Sequence, residues 1–208
     1  MSSSRRALRR SPVVRRLALV MTLAATLAVT ACGSDEAGPG AGALAVEDVD
    51  AEHNEADITF AQGMVPHHEQ AVEMAETALG SAEDPEVVAL AEDIAAAQEP
   101  EIQSLRAMLE AWGAEAPDHM AGMDMDDGAM DGMPGMMSAE EMDALEKTEG
   151  AEFDELWLTM MVEHHQGAVE MATAQLDGGR NQQAKDLAAA IVEAQQAEIQ
   201  QMQALLGG

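Results

Sequence analysis

The sequence has little cysteine and few aromatic residues. Its 208 residues include one Cys, two Trp, two Phe and no Tyr. A lone cysteine, Cys32, excludes a disulfide framework, and it leaves no thiolate metal site or cysteine nucleophile in the folded domain. The abundant residues are Ala, Glu, Gln, Leu and Met, which favour helices. The composition therefore predicts an all-α protein whose soft metal ligands, if it has any, are methionines.

Basic residues are also scarce. The chain has 10 Lys and Arg against 39 Asp and Glu, a formal net charge of −29, and six of the bases are arginines before residue 17. A surface this acidic repels nucleic acid and anionic lipid and attracts cations. The charge excludes a nucleic-acid partner and favours a metal ion, although an acidic face can also serve solubility alone.

Several common catalytic motifs are missing. The chain has no His-Glu-x-x-His, no glycine-rich phosphate loop and no serine nucleophile elbow. The sequence therefore does not predict an enzyme of these classes.

The first 32 residues have the pattern of an export signal. A basic leader precedes an apolar run, Leu17 to Val29, which is short for a membrane span. The run ends in Val29-Thr30-Ala31-Cys32, which resembles a bacterial lipobox. We expect an exported protein that faces the extracytoplasmic space and meets the membrane only through a lipid on Cys32. An ordinary signal peptide with a spare cysteine is the alternative. Residues 33 to 54 are predicted to be a flexible tether.

The rest of the chain contains an internal repeat. MVPHHEQAVEMA, residues 64 to 75, returns as MVEHHQGAVEMA at residues 161 to 172, and the offset of 97 also relates residues well beyond these stretches. The pattern predicts repeat one over 55–113, a Met/Asp/Gly-rich insert over 114–137 and repeat two over 138–208.

Each repeat is predicted to be a helical hairpin. Asp84-Pro85-Glu86 is an N-cap followed by a first-turn proline, and Ser138 begins a capping box. Gly80 and Gly178 mark helix ends, and the last helix is predicted over residues 182 to 206. Two hairpins with apolar stripes predict a four-helix bundle over 55–208.

The candidate metal ligands lie on one face of the first helix of each hairpin. Residues three, four and seven apart share a helix face, so the paired histidines face the core with methionines beside them. The candidates are His67, His68, His164, His165, Met64, Met74, Met161 and Met171. Hairpin geometry brings four possible secondary ligands to the same height: Gln98, Glu101, Gln195 and Glu198. Packed core histidines, kept by simple duplication, are the alternative.

Ligand chemistry favours copper. Thioether and imidazole ligands suit Cu(I) better than Cu(II), and better than magnesium, calcium or a di-iron pair, although another transition metal is not excluded. The insert offers His119, Met120, Met123 and Met125 among Asp and Gly, which predicts a second, looser site. A plain linker is the alternative interpretation of the insert.

The repeated blocks resemble a known family, the domain of unknown function 305. The resemblance rests on Asp57-x-x-Phe60-x-x-x-Met64-x-Pro66-His67-His68, with Asp84-Pro85-Glu86-Val87 and Gln98-x-x-Glu101-Ile102 after it. It implies a ferritin-like four-helix bundle, export, and copper binding by the paired histidines and nearby methionines. The expected function is copper buffering or chaperoning in copper tolerance, with a copper-trafficking protein as a potential partner. A ferritin-like metal oxidase using Glu101 and Glu198, or a metal-free envelope interaction module, are the alternatives.

Overall fold

Helices account for almost all regular structure in the part of the chain that the structure describes. The structure is a computed structural model, and it describes residues 43–116 and 133–207. Five helices lie in these ranges: α1 Glu55–Ser81, α2 Pro85–Trp112, α3 Ala139–Leu145, α4 Gly150–Gly178 and α5 Gln182–Leu206. The described ranges hold no strand, and a 3-10 turn, Val46–Asp48, precedes α1. The prediction of an all-α bundle is confirmed.

Local capping explains where the long helices begin. The Asn54 side chain accepts a hydrogen bond from the backbone N–H of Asp57, and the Asp57 carboxylate accepts one from the N–H of Asn54. Asp84 caps α2 by accepting from the Glu86 N–H at 2.8 Å, directly before Pro85. Such caps satisfy N–H groups that have no partner inside the helix. The start of α2 and both ends of α5 agree with those expected from the sequence.

The capping box at Ser138 has a different role from the predicted one. Ser138 and Glu141 do form a capping box, but it begins the short helix α3 and not the long helix of the second hairpin. That helix, α4, begins at Gly150, whose φ of +67° is a conformation that favours glycine. Leu145 of α3 is fully buried in the core. The second hairpin is therefore preceded by an extra turn of helix that packs on it.

The four long helices form two hairpins that meet through α1 and α4. α1 packs along α2 and α4 packs along α5, while α2 and α5 have few contacts with each other. The C-terminal half of α1 shares an apolar cluster with the N-terminal half of α4, and the opposite halves share a second cluster. Helices α1 and α4 are therefore antiparallel. Since the repeats correspond, the hairpins are related by an approximate twofold axis between these two helices.

Two apolar clusters stabilise the bundle on either side of this axis. Met74, Leu90 and Trp157 are among the buried residues of the first cluster, and Phe60 and Leu105 among those of the second. Full burial of each large apolar side chain contributes roughly 1.5–3 kcal/mol relative to exposure. The segments of α1 and α4 between the two clusters carry the paired histidines.

Two aspartates at repeat-equivalent positions join the hairpins at their ends. Asp57 accepts the backbone N–H groups of Arg180 and Asn181 at 3.1 Å, in the turn between α4 and α5. Asp154 accepts those of Glu83 and Asp84 at 3.1 and 2.9 Å, in the turn between α1 and α2. An aspartate on the first helix of each hairpin therefore accepts hydrogen bonds from the turn of the other hairpin.

The described end of the predicted tether lies against the bundle. The Leu44 N–H donates to the Ser104 hydroxyl at 3.0 Å, and the indole N–H of Trp112 donates to the carbonyl of Asp50 at 3.0 Å. Backbone groups of residues 44 to 52, in the predicted tether, therefore have hydrogen-bond partners on the bundle. In the described ranges no helix is both long and apolar enough to cross a membrane.

Candidate metal site

The four paired histidines are buried together at the centre of the bundle. His67, His68, His164 and His165 each have 0% of their surface exposed. We call these four residues the histidine layer. Its position between two apolar clusters follows from the shared helix face and from the antiparallel packing of α1 on α4.

The first histidine of each pair faces the other hairpin. The ring centroids of His67 and His164 are 3.8 Å apart, with 39° between the ring planes. These residues occupy equivalent positions in the two repeats, so their contact lies on the approximate twofold axis. The sequence left open whether the histidines converge within each hairpin or where the hairpins meet, and the structure places this pair at the meeting point.

The second histidine of each pair faces its own hairpin. The ring Nε2 of His68 donates to the carboxylate of Glu101 at 2.7 Å, and that of His165 donates to Glu198 at 2.8 Å. Both glutamates are only about one-fifth exposed, at 20% and 18%. A carboxylate on one ring nitrogen holds the N–H there and leaves the other nitrogen to bind a metal ion. Glu101 and Glu198 are thus placed to orient the histidines.

The end of the insert crosses the histidine layer. We call residues 133 to 137 the strap. The carbonyl oxygen of Pro134 accepts a hydrogen bond from His67 Nε2 at 3.1 Å. The Gln70 side chain donates to the carbonyl of Met137 at 2.9 Å and accepts the Met137 N–H at 2.7 Å. The last five residues of the insert are therefore anchored on α1.

Many polar atoms of this layer have no hydrogen-bond partner. Five of the eight histidine ring nitrogens are buried and unpaired within the described structure: Nδ1 of His67, His68, His164 and His165, and Nε2 of His164. Both amide atoms of Gln98 and the Oε1 of Gln195 are unpaired as well. A buried polar atom without a partner costs roughly 1–3 kcal/mol, so native proteins seldom keep several in one place without a ligand or a function.

Burial keeps the two central rings neutral. The pKa of His67 is lowered to about 3, chiefly by burial and also by the neighbouring His68, while the Pro134 carbonyl opposes the shift. Burial also lowers the pKa of His164 well below its ordinary value, as do His67, His165 and His68, and the backbone of His67 opposes this. A neutral imidazole has the free lone pair that a metal ion requires.

The four candidate methionines do not lie in one place. Met64 belongs to one apolar cluster and Met74 and Met161 to the other, all with no exposed surface. Met171 is partly buried and lines an open cavity of about 540 Å³ together with Met133 of the strap. The methionines therefore flank the histidine layer on both sides.

The described residues do not contain a closed set of hard ligands. No group of three or more His, Cys, Asp or Glu side chains in residues 43–116 and 133–207 is arranged to hold a metal ion. Methionine is not one of these four residue types. The predicted secondary ligands His119, Met120, Met123 and Met125 and the predicted lipidation site Cys32 lie outside the described residues. The donor set that is present is imidazole nitrogen with thioether sulfur nearby, which suits a soft ion of low coordination number.

Sequence reasoning missed the residues that anchor the strap. Gln70 and Gly167 occupy equivalent positions of the two repeats, and a Cβ at Gly167 would lie 1.9 Å from the Pro134 oxygen. The only signal in the sequence is that positions 70 and 167 carry different residues, which is one of three mismatches between the two twelve-residue blocks.

The fold and the site together define a class of protein. It is a bundle of two repeated helical hairpins with a buried layer of histidines, most of whose ring nitrogens have no hydrogen-bond partner in the described residues. The chain belongs to the family described as domain of unknown function (DUF305), whose sequence profile matches residues 57–206. The family resemblance noted in the sequence is confirmed. A search of curated proteins finds no match.

Solved structures of the same family resemble the chain. A DUF305 protein of Streptomyces coelicolor, described as a candidate secreted protein, is 35% identical, with a TM-score of 0.65 over 73% of this chain and 92% of its own. A DUF305 fragment from Deinococcus radiodurans is 30% identical, with a TM-score of 0.65 over 74% of this chain and 97% of its own. CopM in its Cu(II)-bound form is 34% identical, with a TM-score of 0.61 over 73% of this chain and 95% of its own.

Proposed function

We propose that this protein binds copper in the extracytoplasmic space, as Cu(I) in preference to Cu(II), and acts as a buffer or chaperone in copper tolerance. The observation that carries the proposal is the set of five buried, unpaired ring nitrogens in the histidine layer. Structures of the similar protein CopM in Cu(I)-bound and Cu(II)-bound forms support the choice of metal. The acidic surface supports it too, because it raises the local concentration of cations.

The histidine layer is proposed to supply the first ligands. His67 and His164, whose rings are in contact, are proposed to hold one ion between the hairpins, with His68 and His165 beside them. Ring distances support this arrangement, since the ring centroids of His67 and His164 are 3.8 Å apart and those of His164 and His165 are 6.3 Å apart. Met64, Met74, Met161 and Met171 are proposed as sulfur ligands, recruited when side chains rearrange on binding.

We propose binding without turnover. An oxidase needs hard ligands and an open position, whereas each of the two glutamates that could serve already accepts a hydrogen bond from His68 or His165 through one carboxylate oxygen. The segments outside the described residues are proposed to have the roles expected from the sequence. Cys32 is a lipid anchor, and His119, Met120, Met123 and Met125 form a looser second site that exchanges copper with a trafficking partner.

Anaerobic competition with a chromogenic Cu(I) chelator tests the proposal. The wild type is compared with a variant in which His67, His68, His164 and His165 are all Ala, and with His67→Phe/His164→Phe, which conserves the ring volume and keeps the core filled. His53→Ala is the matched control, since that ring stacks on Trp112 away from the layer.

We expect tight Cu(I) binding by the wild type and by His53→Ala, and none by the histidine-layer variants, with circular dichroism confirming that all remain helical. Tight binding retained by folded His67→Phe/His164→Phe would overturn the proposed site. Absence of binding by the wild type, with no rise in its melting temperature on addition of metal, would instead favour a metal-free interaction module. Catalytic consumption of Cu(I) or Fe(II) would favour the oxidase.

A further inference from the structure

The strap breaks the twofold symmetry of the histidine layer. Position 70 in α1 and its equivalent, position 167 in α4, carry Gln and Gly. Gln70 holds the backbone of Met137 through both amide atoms, and all atoms of this contact are buried. Gly167 leaves room for the strap, because a Cβ there would lie 1.9 Å from the oxygen and 2.4 Å from the carbon of the Pro134 carbonyl group. One repeat therefore holds the strap and the other makes space for it.

The path of the strap depends on a second glycine. Gly135 has a φ of +76°, in the left-handed region, and a Cβ there would lie 2.7 Å from the backbone oxygen of Glu163 and 2.9 Å from that of His164. Few residues other than glycine adopt such a conformation without strain. Close approach at both Gly135 and Gly167 brings the Pro134 carbonyl within hydrogen-bonding distance of His67.

The hydrogen bond to Pro134 makes the two central histidines unequal. A carbonyl oxygen can only accept, so His67 Nε2 must donate to Pro134. In the neutral ring the proton is then on Nε2, and the unpaired Nδ1 carries the lone pair. His164, the repeat equivalent, has the backbone of His67 near its ring, but neither of its ring nitrogens has a partner at hydrogen-bonding distance and angle in the described residues. Of these two rings in contact, therefore, only that of His67 has a hydrogen bond that fixes its tautomer and orientation.

We propose that the strap is a positioning element of the copper site, and that Gln70 and Gly167 are positioning residues that make His67 present Nδ1 to the ion. This inference rests on the proposed copper-binding function. The hydrogen bond from His67 Nε2 to Pro134 is the counterpart of the bonds from His68 and His165 to Glu101 and Glu198. In three of the four rings, Nε2 thus donates a hydrogen bond to an oxygen atom. Helices provide two of these oxygen atoms, and the strap provides the third. His164 remains free to adjust its ring to the ion.

A pair of glycine substitutions tests the proposal in the full chain without metal. In Gly167→Ala the new methyl group would overlap backbone atoms of the strap, which cannot yield locally and must move away. In the matched control Gly63→Ala the new methyl group would meet only the sulfurs of Met171 and Met133, at 3.6 and 3.9 Å, which is ordinary contact. Both substitutions raise helix propensity inside a long helix, and circular dichroism checks that both variants keep the fold. Gln70→Leu releases the strap by a second route.

The first measurement is the tautomer of His67 from the ¹⁵N chemical shifts of its ring, together with hydrogen exchange at the Met137 amide. We expect the wild type and Gly63→Ala to show the Nε2–H form and a protected amide. Gly167→Ala and Gln70→Leu should show a mixture of tautomers and faster exchange. A merely structural role would leave the tautomer unmoved, so an unchanged His67 ring in both strap variants would overturn the proposal.

The second measurement is affinity for Ag(I) and Cu(I) by chelator competition. Loss of a group that orients a metal-binding histidine typically weakens affinity by about 10–100-fold, and we expect Gly167→Ala and Gln70→Leu to weaken binding by about 10-fold or more while Gly63→Ala does not. Equal affinity in all four proteins would overturn the role of the strap in binding. Absence of binding by the wild type would overturn the proposed function. The measurement on the wild type alone shows this, so it is distinguishable from failure of the proposal about the strap.

Discussion

At the scale of single residues, the histidine layer is costly to the metal-free protein. Four imidazole rings are fully buried, and five of their nitrogens have no partner within the described residues. Leucines or phenylalanines of similar volume would fill the same space without that penalty. The arrangement is explained if a ligand takes the unpaired nitrogens, because the free energy of binding then offsets the cost of burial.

The buried rings make acid stability a test of this description. Burial lowers the pKa of His67 to about 3 and that of His164 well below 6.5, whereas the unfolded chain protonates both near 6.5. A histidine with a depressed folded-state pKa contributes stability that is present above the unfolded-state pKa and is lost as pH falls below it. We expect the metal-free protein to lose stability between about pH 6.5 and 4, by at most about 1.4 kcal/mol per pH unit for each of these rings.

Urea unfolding at several pH values, with a chelator present, measures this loss. His67→Phe/His164→Phe removes both groups, so its unfolding free energy should fall less steeply with pH than that of the wild type. The two slopes are compared, since the absolute stabilities also change with packing. If the unfolding free energies of the two proteins fall with the same slope from pH 6.5 to 4, these rings do not titrate as buried groups.

The sequence predicts which histidines matter but not what each one contacts. The repeat of His-His at one register identifies the four rings, and the core-facing stripe predicts their burial. Neighbouring residues on a helix point about 100° apart, so the two members of a pair cannot face the same partner. The first histidine of each pair contacts the other hairpin, and the second contacts the glutamate of its own hairpin. Which one does which depends on how α1 crosses α4, and no local sequence pattern encodes that crossing.

At the scale of elements, the sequence predicts the long helices well from their caps and glycines, but it predicts the segments that connect them poorly. Asp84 and Gln182 mark helix starts correctly, because a side-chain cap or first-turn proline is a local feature. The strap was missed because its composition is that of a loop, and its order comes from Gln70 and Gly167, far away in the chain. The short helix α3 was missed because its capping box looked like the start of a long one.

The aspartates that join the hairpin ends should be the strongest polar contacts of the fold. Asp57 is fully buried and accepts hydrogen bonds from the Gln175 side chain and from the N–H groups of Asn54, Arg180 and Asn181. Asp57→Ala leaves these donors without a partner, and we expect it to cost about 3 kcal/mol. Asp154→Ala, which exposes two backbone donors, should cost less. Thermal or urea unfolding at pH 7 measures both.

A matched control and a pH series complete this test. Asp143→Ala removes an exposed carboxylate whose only described ion pair is with Lys147, four residues away on the surface, and it should leave the unfolding midpoint unchanged. Burial raises the pKa of Asp57, but its hydrogen bonds lower it more, and the net shift is below the ordinary value of 3.8. Its stabilising effect is therefore present above pH 4 and fades as pH falls further. If Asp57→Ala lowers the free energy of unfolding no more than Asp143→Ala does, the contact of Asp57 with the turn of the other hairpin does not stabilise the fold.

At the scale of the whole molecule, the duplication brings equivalent residues together on one axis. His67 meets His164 there, while Asp57 and Asp154 repeat one contact at the two ends. A duplicated hairpin can form either one site in each repeat or one shared site. Contact between the first histidines favours a shared site, and the strap, present once, makes it asymmetric.

The shared site predicts that one tightly bound ion joins the two hairpins. Native mass spectrometry during titration with Ag(I) should show one equivalent bound before any other, with looser equivalents following. An ion bound only by the native state at 100 times its dissociation constant adds about 2.7 kcal/mol of stability, which should raise the melting temperature by roughly 5–10 °C for a domain of this size. His67→Phe/His164→Phe should lose both the first equivalent and the shift. Two equivalents of equal affinity would instead place one site inside each hairpin, around His68 with Gln98 and His165 with Gln195, because a site repeated with the fold must bind twice.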